Sequence, residues 1–309
     1  MYDLKFILED LNSGRKKKVI LDSDTYNEID DQFALAYLMN VPEKAEILGV
    51  CAAPYFNARS TSYEDGMEKS YDEIGNIINL VDPNSTIPRF KGSRRQMPDT
   101  KTPIESDAAN FMIKCAKEIE GEPLYILGIG SSTNIASALL LAPEIKEKVV
   151  IVWLGGNAVE VGSNAGEFNM DQDIYAINSI LEADVAFVQY PAEQVTSACV
   201  IHSHEMEKNL KESGNAICSY LYDFWMEFKI GYRKATNTCD TDWYGRVIWD
   251  IAGTACFALP GASEFEIMKK PVINIEDYKY DFSNSKYDMI MVKKLDSRAI
   301  VADMFKHIC

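Results

Sequence analysis

Four aspartates lie within ten residues near the start of the chain, and their type and spacing indicate a site that does chemistry. Asp22 and Asp24 directly follow a short apolar run rich in β-branched residues, which predicts a buried strand. Asp30 and Asp31 directly precede Gln32–Met39, which predicts a helix that one of these aspartates caps. Carboxylates this close repel one another unless some are protonated or a cation lies between them.

The ligand atoms that these aspartates offer are hard oxygens. No His or Cys lies near them, so the pattern favours Ca²⁺ or Mg²⁺ over Zn²⁺. The alternative is a solvated acidic loop that does no more than cap one helix. The buried strand before the loop and the grouping of the acids in two pairs favour the ion site.

The elements that must position these acids alternate along the chain. Strand candidates at 46–51, 124–128, 149–154 and 184–189 are separated by segments with helical periodicity. Such alternation predicts an α/β fold with a doubly wound, mostly parallel central sheet. We expect a single domain over residues 1–309.

Further polar residues also follow strands or begin helices. They are Thr133, Glu167 with Asn169, and Asp250. In a doubly wound sheet such positions meet at one edge, where ligands bind. We therefore expect these residues beside the aspartates, around a polyhydroxylated substrate and a hard cation that activates a water.

The composition limits the partners. A formal net charge of −16 argues against a nucleic-acid or anionic-membrane partner and favours a small molecule. No apolar run approaches the length of a membrane span, and the basic cluster Arg15–Lys18 follows the first apolar residues, an order that is wrong for a signal peptide. Seven cysteines without paired spacing indicate reduced thiols, so we expect a cytoplasmic protein.

These residues together resemble the inosine–uridine-preferring nucleoside hydrolases, from about residue 18 to 258 and with the motifs in the same order. The motifs are Asp22-Ser-Asp24, Asp30-Asp31, Gly130-Ser-Ser-Thr-Asn-Ile-Ala136, Gly155-Gly156, Glu167-Phe-Asn169 and Asp250. The resemblance implies a Rossmann-like fold and hydrolysis of the N-glycosidic bond of a ribonucleoside to free base and ribose, in nucleoside salvage.

The resemblance also implies a Ca²⁺ site. The ligands would be the carboxylates of Asp24, Asp31 and Asp250 and the backbone carbonyl of Thr133, and the ion would also hold the ribose 2′- and 3′-hydroxyls. Asp24 would be the general base that takes a proton from the metal-bound water.

The remaining roles follow from the same resemblance. Asp30, Glu167 and Asn169 would hold the sugar, with Asn164 as a further candidate. Asp22 would support the loop from behind the ligands. The resemblance, together with the aromatic-rich stretch at 203–230, leads us to expect a homo-oligomer, a dimer or a tetramer.

Two departures from the family pattern stand out. The acidic loop is two residues longer, with Thr25–Ile29 between its acids, and Trp249 stands where many members carry a His that protonates the leaving base. Stacking on Trp249, Trp243 or Tyr244 could stabilise a purine, or a tyrosine or a water chain could donate the proton. A buried core indole is the alternative for Trp249.

Two rival functions stay open at this point. Asp22-Ser-Asp24-Thr25 is also similar to the start of a haloacid-dehalogenase-type phosphatase, which needs a later Lys and an acidic pair after another strand. Here the acidic pair follows in the same loop. The second rival is a nucleoside- or ribose-binding protein that has lost turnover together with the His.

Overall fold

In the computed structural model of the chain, which describes residues 2–236 and 244–309, helices cover both faces of an eight-stranded sheet. The strands are β1 Lys17–Ser23, β2 Ala45–Ala52, β3 Arg89–Lys91, β4 Leu124–Gly128, β5 Val149–Leu154, β6 Ala186–Tyr190, β7 Val200–His202, β8 Gly245–Val247, β9 Ser263–Lys269, β10 Val272–Ile273, β11 Tyr280–Asp281 and β12 Asp288–Leu295. The helices are α1 Leu4–Asn12, α2 Asp30–Met39, α3 Tyr63–Val81, α4 Asp107–Glu118, α5 Thr133–Leu141, α6 Phe168–Gln172, α7 Ile174–Leu181, α8 Ser203–Met206, α9 Ala216–Thr236, α10 Ile251–Ala258 and α11 Ser297–Ile308.

The strand order in the large sheet is β3-β2-β1-β4-β5-β6-β12-β9. Every neighbouring pair is parallel except β12 and β9, which are antiparallel. This arrangement confirms the predicted α/β fold with a doubly wound, mostly parallel sheet. Two short antiparallel pairs, β7 with β8 and β10 with β11, lie outside it.

The chain direction across the sheet reverses between β1 and β4. From β1 the chain moves outward through β2 to β3, and from β4 it moves the other way. Asp22, near the end of β1, is in register with Cys51 on one side and Gly128 on the other. Such a switch point leaves a crevice beyond the carboxyl ends of the strands, so the acidic loop starts at the usual ligand position.

The core lies on both faces of the sheet, as strand β5 shows. All six of its residues are buried. Val150 and Val152 pack with the cluster that includes Phe33 of α2, whereas Ile151 and Trp153 pack with the opposite cluster. A strand buried on both faces reads as an unbroken apolar run, which is why the sequence predicted it.

The single sheet takes strands from Lys17 to Leu295. We therefore propose that the chain forms one domain, as expected from the sequence. Within the described ranges, none of the helices combines the length and the apolar character needed to cross a bilayer.

Helix α1 is tied to the sheet by a buried carboxylate. The Tyr125 hydroxyl in β4 donates to Asp10 Oδ2 at 2.6 Å, and Arg15 contacts the same carboxylate at 2.8 Å. Asp10 and Tyr125 are both buried, with Tyr125 at 0% exposure.

We expect Tyr125→Phe to lower the free energy of unfolding by about 1.5–3 kcal/mol, the usual loss for a hydrogen bond to a charged group. Urea denaturation measures it. Tyr175→Phe is the matched control, because its half-buried hydroxyl makes no hydrogen bond with the described residues. A loss no larger than that of the control would contradict this reading.

Candidate active site

The acidic loop brings two aspartates against a third from the far end of the chain. Asp30 and Asp31 begin α2, and Asp250 immediately precedes α10. One carboxylate oxygen from each of the three lies within 4.8 Å of the others, and all three residues are buried. The N-cap of α2 is Ile29, so the prediction that Asp30 or Asp31 caps this helix is wrong.

Asp24 lies beside this cluster and is fully buried. Neither of its carboxylate oxygens has a hydrogen-bond partner among the described residues. A Cβ at Gly130 would collide with the Asp24 carboxylate, so the loop after β4 needs glycine there. A buried carboxylate without a partner is costly unless a cation or a proton neutralises it.

Burial and mutual repulsion raise the pKa values of these acids. For Asp24, burial is the main cause and the charges of Asp31 and Asp30 add to it, which raises the pKa well above its usual value. Burial also raises the pKa values of Asp31 and Asp250, again with help from neighbouring acids. Burial and the Glu28 charge raise the pKa of Asp30 to about 7. Without a cation the cluster therefore cannot hold all of its charges near neutral pH.

Two polar side chains orient Asp31 and Asp22 by hydrogen bonds. Ser23 Oγ donates to Asp31 Oδ1 at 2.6 Å. Asn134 Nδ2 in α5 donates to Asp22 Oδ1 at 2.8 Å, while burial raises the pKa of Asp22 to about 7. Asp22 thus anchors the end of β1 to α5, a position compatible with its predicted supporting role.

Thr133 begins α5 and is fully buried. Its hydroxyl donates to Asp173 Oδ2 at 2.7 Å, and Asp173 also accepts from the backbone N–H groups of Met97 and Ala176. The side chain is therefore fixed, and the ligand role predicted for its backbone carbonyl stays a prediction. Sequence reasoning missed Asp173, although its place at the start of α7 is a helix-cap signal.

A cavity of about 360 Å³ opens over this edge of the sheet. Its polar lining residues are Asn27, Glu28, Asp30, Asp31, Asn157, Glu167, Asn169, Glu193 and Asp250. Asp22, Asp24 and Thr133 are buried and do not line it. Six of the predicted site residues thus meet around one space: Asp30, Asp31, Glu167, Asn169, Trp249 and Asp250.

Glu167 is held in place by backbone N–H groups. Its carboxylate accepts from Gly156 at 2.6 Å, from Met170 at 2.9 Å and from Asn169 at 3.1 Å. Burial raises the pKa of Glu167 to about 7, although these hydrogen bonds work against the shift. The carboxylate is thus fixed in the cavity wall.

Asn169 is oriented by two carbonyl groups from neighbouring strand ends. Its Nδ2 atom donates to Ile129 O at 3.1 Å and to Leu154 O at 2.9 Å. With the amide nitrogen fixed this way, its oxygen remains available to accept a hydrogen bond from a ligand hydroxyl.

Asn164 lies behind the wall rather than in it. Its Oδ1 atom accepts from Asn157 N at 2.6 Å, and its Nδ2 atom donates to Tyr278 O at 3.0 Å. The structure does not bring Asn164 to the cavity, and Asn157 lines it instead. The contact of Asn164 with a sugar stays a prediction that the geometry does not support.

Several lining residues escaped the sequence analysis. Asn27 and Glu28 belong to the longer acidic loop, and Asn157 and Glu193 follow β5 and β6. Their only sequence signal was that position after a strand, which many loop residues share.

The aromatic candidates differ in what the structure says of them. Trp249 is half-buried and lines the cavity, so of the two alternatives it lies in the wall rather than wholly within the core. Tyr244 lies in an adjoining cavity, and Trp243 lies outside the described residues. None of the three histidines lines the site.

The raised pKa values predict a pH-dependent stability. A carboxyl group whose pKa rises on folding binds more protons folded than unfolded, so stability falls as pH rises. For Asp22, Asp30 and Glu167 this loss runs from the unfolded value of about 4 to the folded value of about 7.

We expect the Tm of chelator-treated protein to fall over that range, and Ca²⁺ to raise the Tm more at about pH 8 than at about pH 5. At a hundred times Kd the ion would add about 2.7 kcal/mol. Differential scanning fluorimetry measures both effects, with Asp250→Asn as the variant that loses the Ca²⁺ response. Equal or absent Ca²⁺ shifts at the two pH values would count against the ion site.

The sequence of the chain is similar to those of known proteins. The family model for the inosine-uridine preferring nucleoside hydrolases matches residues 19–279. The pyrimidine-specific ribonucleoside hydrolase RihA of Escherichia coli O1:K1 is 30% identical over 134 residues, which is 42% of each chain. RihA of Salmonella typhimurium is 29% identical over 131 residues, or 41% of each chain. These matches therefore span less than half the length of the curated relatives.

Solved structures share the fold over nearly the whole chain. A purine-preferring ribonucleoside hydrolase from Gardnerella vaginalis has a TM-score of 0.76 and 20% identity, covering 94% of this chain and 98% of that one. A plant nucleoside hydrolase has a TM-score of 0.75 and 18% identity with the same coverage. Because the family match extends over most of the sequence, the chain belongs to the inosine-uridine preferring nucleoside hydrolase family.

Proposed function

We propose that the protein hydrolyses the N-glycosidic bond of a ribonucleoside to free base and ribose. The observation that supports this best is Asp24, a fully buried carboxylate without a hydrogen-bond partner among the described residues, beside the cluster of Asp30, Asp31 and Asp250. The adjoining cavity of about 360 Å³ falls in the range of small-ligand sites.

The donor set fits a hard divalent cation such as Ca²⁺. It consists of buried carboxylate oxygens, and those of Asp24 have no hydrogen-bond partner among the described residues. Asp24, Asp31 and Asp250 would hold the ion, with the backbone carbonyl of Thr133. When bound, it supplies positive charge that polarises a water and the ribose hydroxyls.

Each of the site residues then has its own role in the reaction. Asp24 takes a proton from the attacking water, since its oxygens are not committed to other hydrogen bonds. Asp30, Glu167 and Asn169 hold the ribose hydroxyls from the cavity wall. As the bond to the base lengthens, the fixed carboxylates stabilise the positive charge that develops on the sugar.

The phosphatase alternative finds no support in the site. That chemistry requires a lysine, and none lines the cavity among the described residues. A binding protein without turnover remains the competing proposal, and the activity test below separates the two.

We further propose that the protein is a cytoplasmic homo-oligomer, a dimer or a tetramer, that acts in nucleoside salvage. The six described cysteines are free, which fits a reducing compartment. In α9, however, Phe224 and Trp225 are buried within the chain, so part of the aromatic-rich stretch serves the core.

We expect the wild type to release reducing sugar from at least one of a panel of purine and pyrimidine ribonucleosides. Asp24→Ala should lower kcat by about 10³-fold or more, because a general base contributes about 10²–10⁴-fold and the ion would lose a ligand. Chelator should abolish turnover, and Ca²⁺ should restore it.

Asp223→Ala, which removes an exposed aspartate on α9, is the matched control and should keep full activity. Full activity of Asp24→Ala would remove Asp24 from the mechanism. Calorimetric binding of a nucleoside without any ribose release would favour the binding protein instead.

A further inference from the structure

A second cavity adjoins the acidic one, and Trp249 lines both. It measures about 700 Å³ and contains Arg59, Arg246 and Phe228. The acidic cavity itself has no Lys, Arg or His among its described lining residues. Among the described residues, the arginines near Trp249 therefore line the second cavity and not the acidic one.

Arg246 lines the second cavity and pairs with a residue of the acidic one. Its Nη2 atom pairs with the carboxylate of Glu28, which lines the acidic cavity. Its guanidinium carbon lies 4.2 Å from the centre of the Phe228 ring, and its side chain is only 18% exposed. Its Nε atom is buried and donates to no acceptor in the described structure. Among the described residues, the Nε donor of Arg246 therefore has no partner.

The pair lies close in sequence to both features in which this chain departs from the family pattern. Glu28 belongs to the longer loop between Asp24 and Asp30, and Arg246 precedes Trp249 by three residues. Because Glu28 lines the acidic cavity, the guanidinium that pairs with it lies next to the site.

Cleavage of an N-glycosidic bond leaves an electron pair on the base. The departing nitrogen needs a proton or a positive charge, and no imidazole is present in the acidic cavity to supply one. An arginine cannot give up its proton near neutral pH, but its N–H groups stabilise an anion strongly where water is partly excluded.

We propose that Arg246, positioned by Glu28, is a catalytic residue that stabilises the departing nucleobase. This inference rests on the proposed nucleoside hydrolysis. The water oxygen bonds to the anomeric carbon while its proton passes to Asp24. The electrons of the broken carbon–nitrogen bond stay on the base, which accepts hydrogen bonds from Arg246. The base then takes a proton from solvent after it leaves the site.

The second arginine provides a matched control. Arg59 contacts the same Phe228 ring as Arg246, with its guanidinium carbon 5.5 Å from the ring centre. The same carbon lies 4.5 Å from the Tyr26 ring and 4.9 Å from the Phe224 ring. Its Nε atom donates to Tyr26 O at 3.0 Å, and it does not line the acidic cavity. Arg59→Gln therefore removes the same charge from the same neighbourhood without touching the Glu28 pair.

The test compares two leaving groups. The base of the best ribonucleoside in the panel needs stabilisation as it leaves. By contrast, 4-nitrophenyl β-riboside releases 4-nitrophenolate, which is a stable anion. Arg246→Gln should lower kcat/KM for the nucleoside by about 10²- to 10³-fold, as removal of an oxyanion donor does. Its kcat/KM for the riboside should stay within about fivefold, because that leaving group needs little stabilisation. Arg59→Gln should leave the ratio of the two substrates unchanged.

Arg246→Lys keeps the charge and the pair with Glu28, so it retains the fold even if Arg246→Gln does not. It should lose part of the nucleoside activity, about tenfold, because a lysine lacks the planar fork of donors. Equal losses on both substrates would mean that Arg246 is structural, and no loss on either would mean that it is dispensable. Either result overturns the inference but leaves the hydrolase intact. A wild type that cleaves no nucleoside would refute the proposed function, and this inference with it.

Discussion

The structure depends on one unfavourable interaction, the crowding of four buried carboxylates at the end of β1 and the start of α10. Asp24, Asp30, Asp31 and Asp250 repel one another, and burial removes the water that would screen them. A fold keeps such a cluster only if a proton or a cation compensates it. The rest of the site can be understood as the means of holding these oxygens still.

The topology of the sheet lets a few residues hold these carboxylates in place. The switch point between β1 and β4 puts the acidic loop next to the glycine-rich turn that precedes α5. Gly130 leaves room for the Asp24 carboxylate, and Asn134 and Ser23 hold Asp22 and Asp31 by hydrogen bonds. Backbone N–H groups and carbonyl groups then fix the side chains of Glu167 and Asn169 in the cavity wall, so these side chains need little rearrangement to accept a ligand.

How much of the fold and of the site the sequence could predict depends on whether a pattern of residue types signals the feature. Strands such as β5 are buried on both faces and appear as apolar runs, and strand ends meet at one edge, which brought Asp250 correctly beside the first loop. The edge strand β9 alternates between exposed and half-buried residues and was not recognised. The pairing of Glu28 with Arg246 joins residues 218 positions apart, and no local pattern encodes it. Whether Asn157 or Asn164 reaches the cavity depends on the path of a loop.

The measurement that tests the central claim most directly is the stoichiometry of Ca²⁺ binding to chelator-treated protein, by isothermal titration calorimetry at about pH 7.5. The account predicts one ion per chain for the wild type and no binding at this site for Asp31→Asn. Absence of binding to the wild type, or unchanged binding to the variant, would show that the carboxylates are not a cation site.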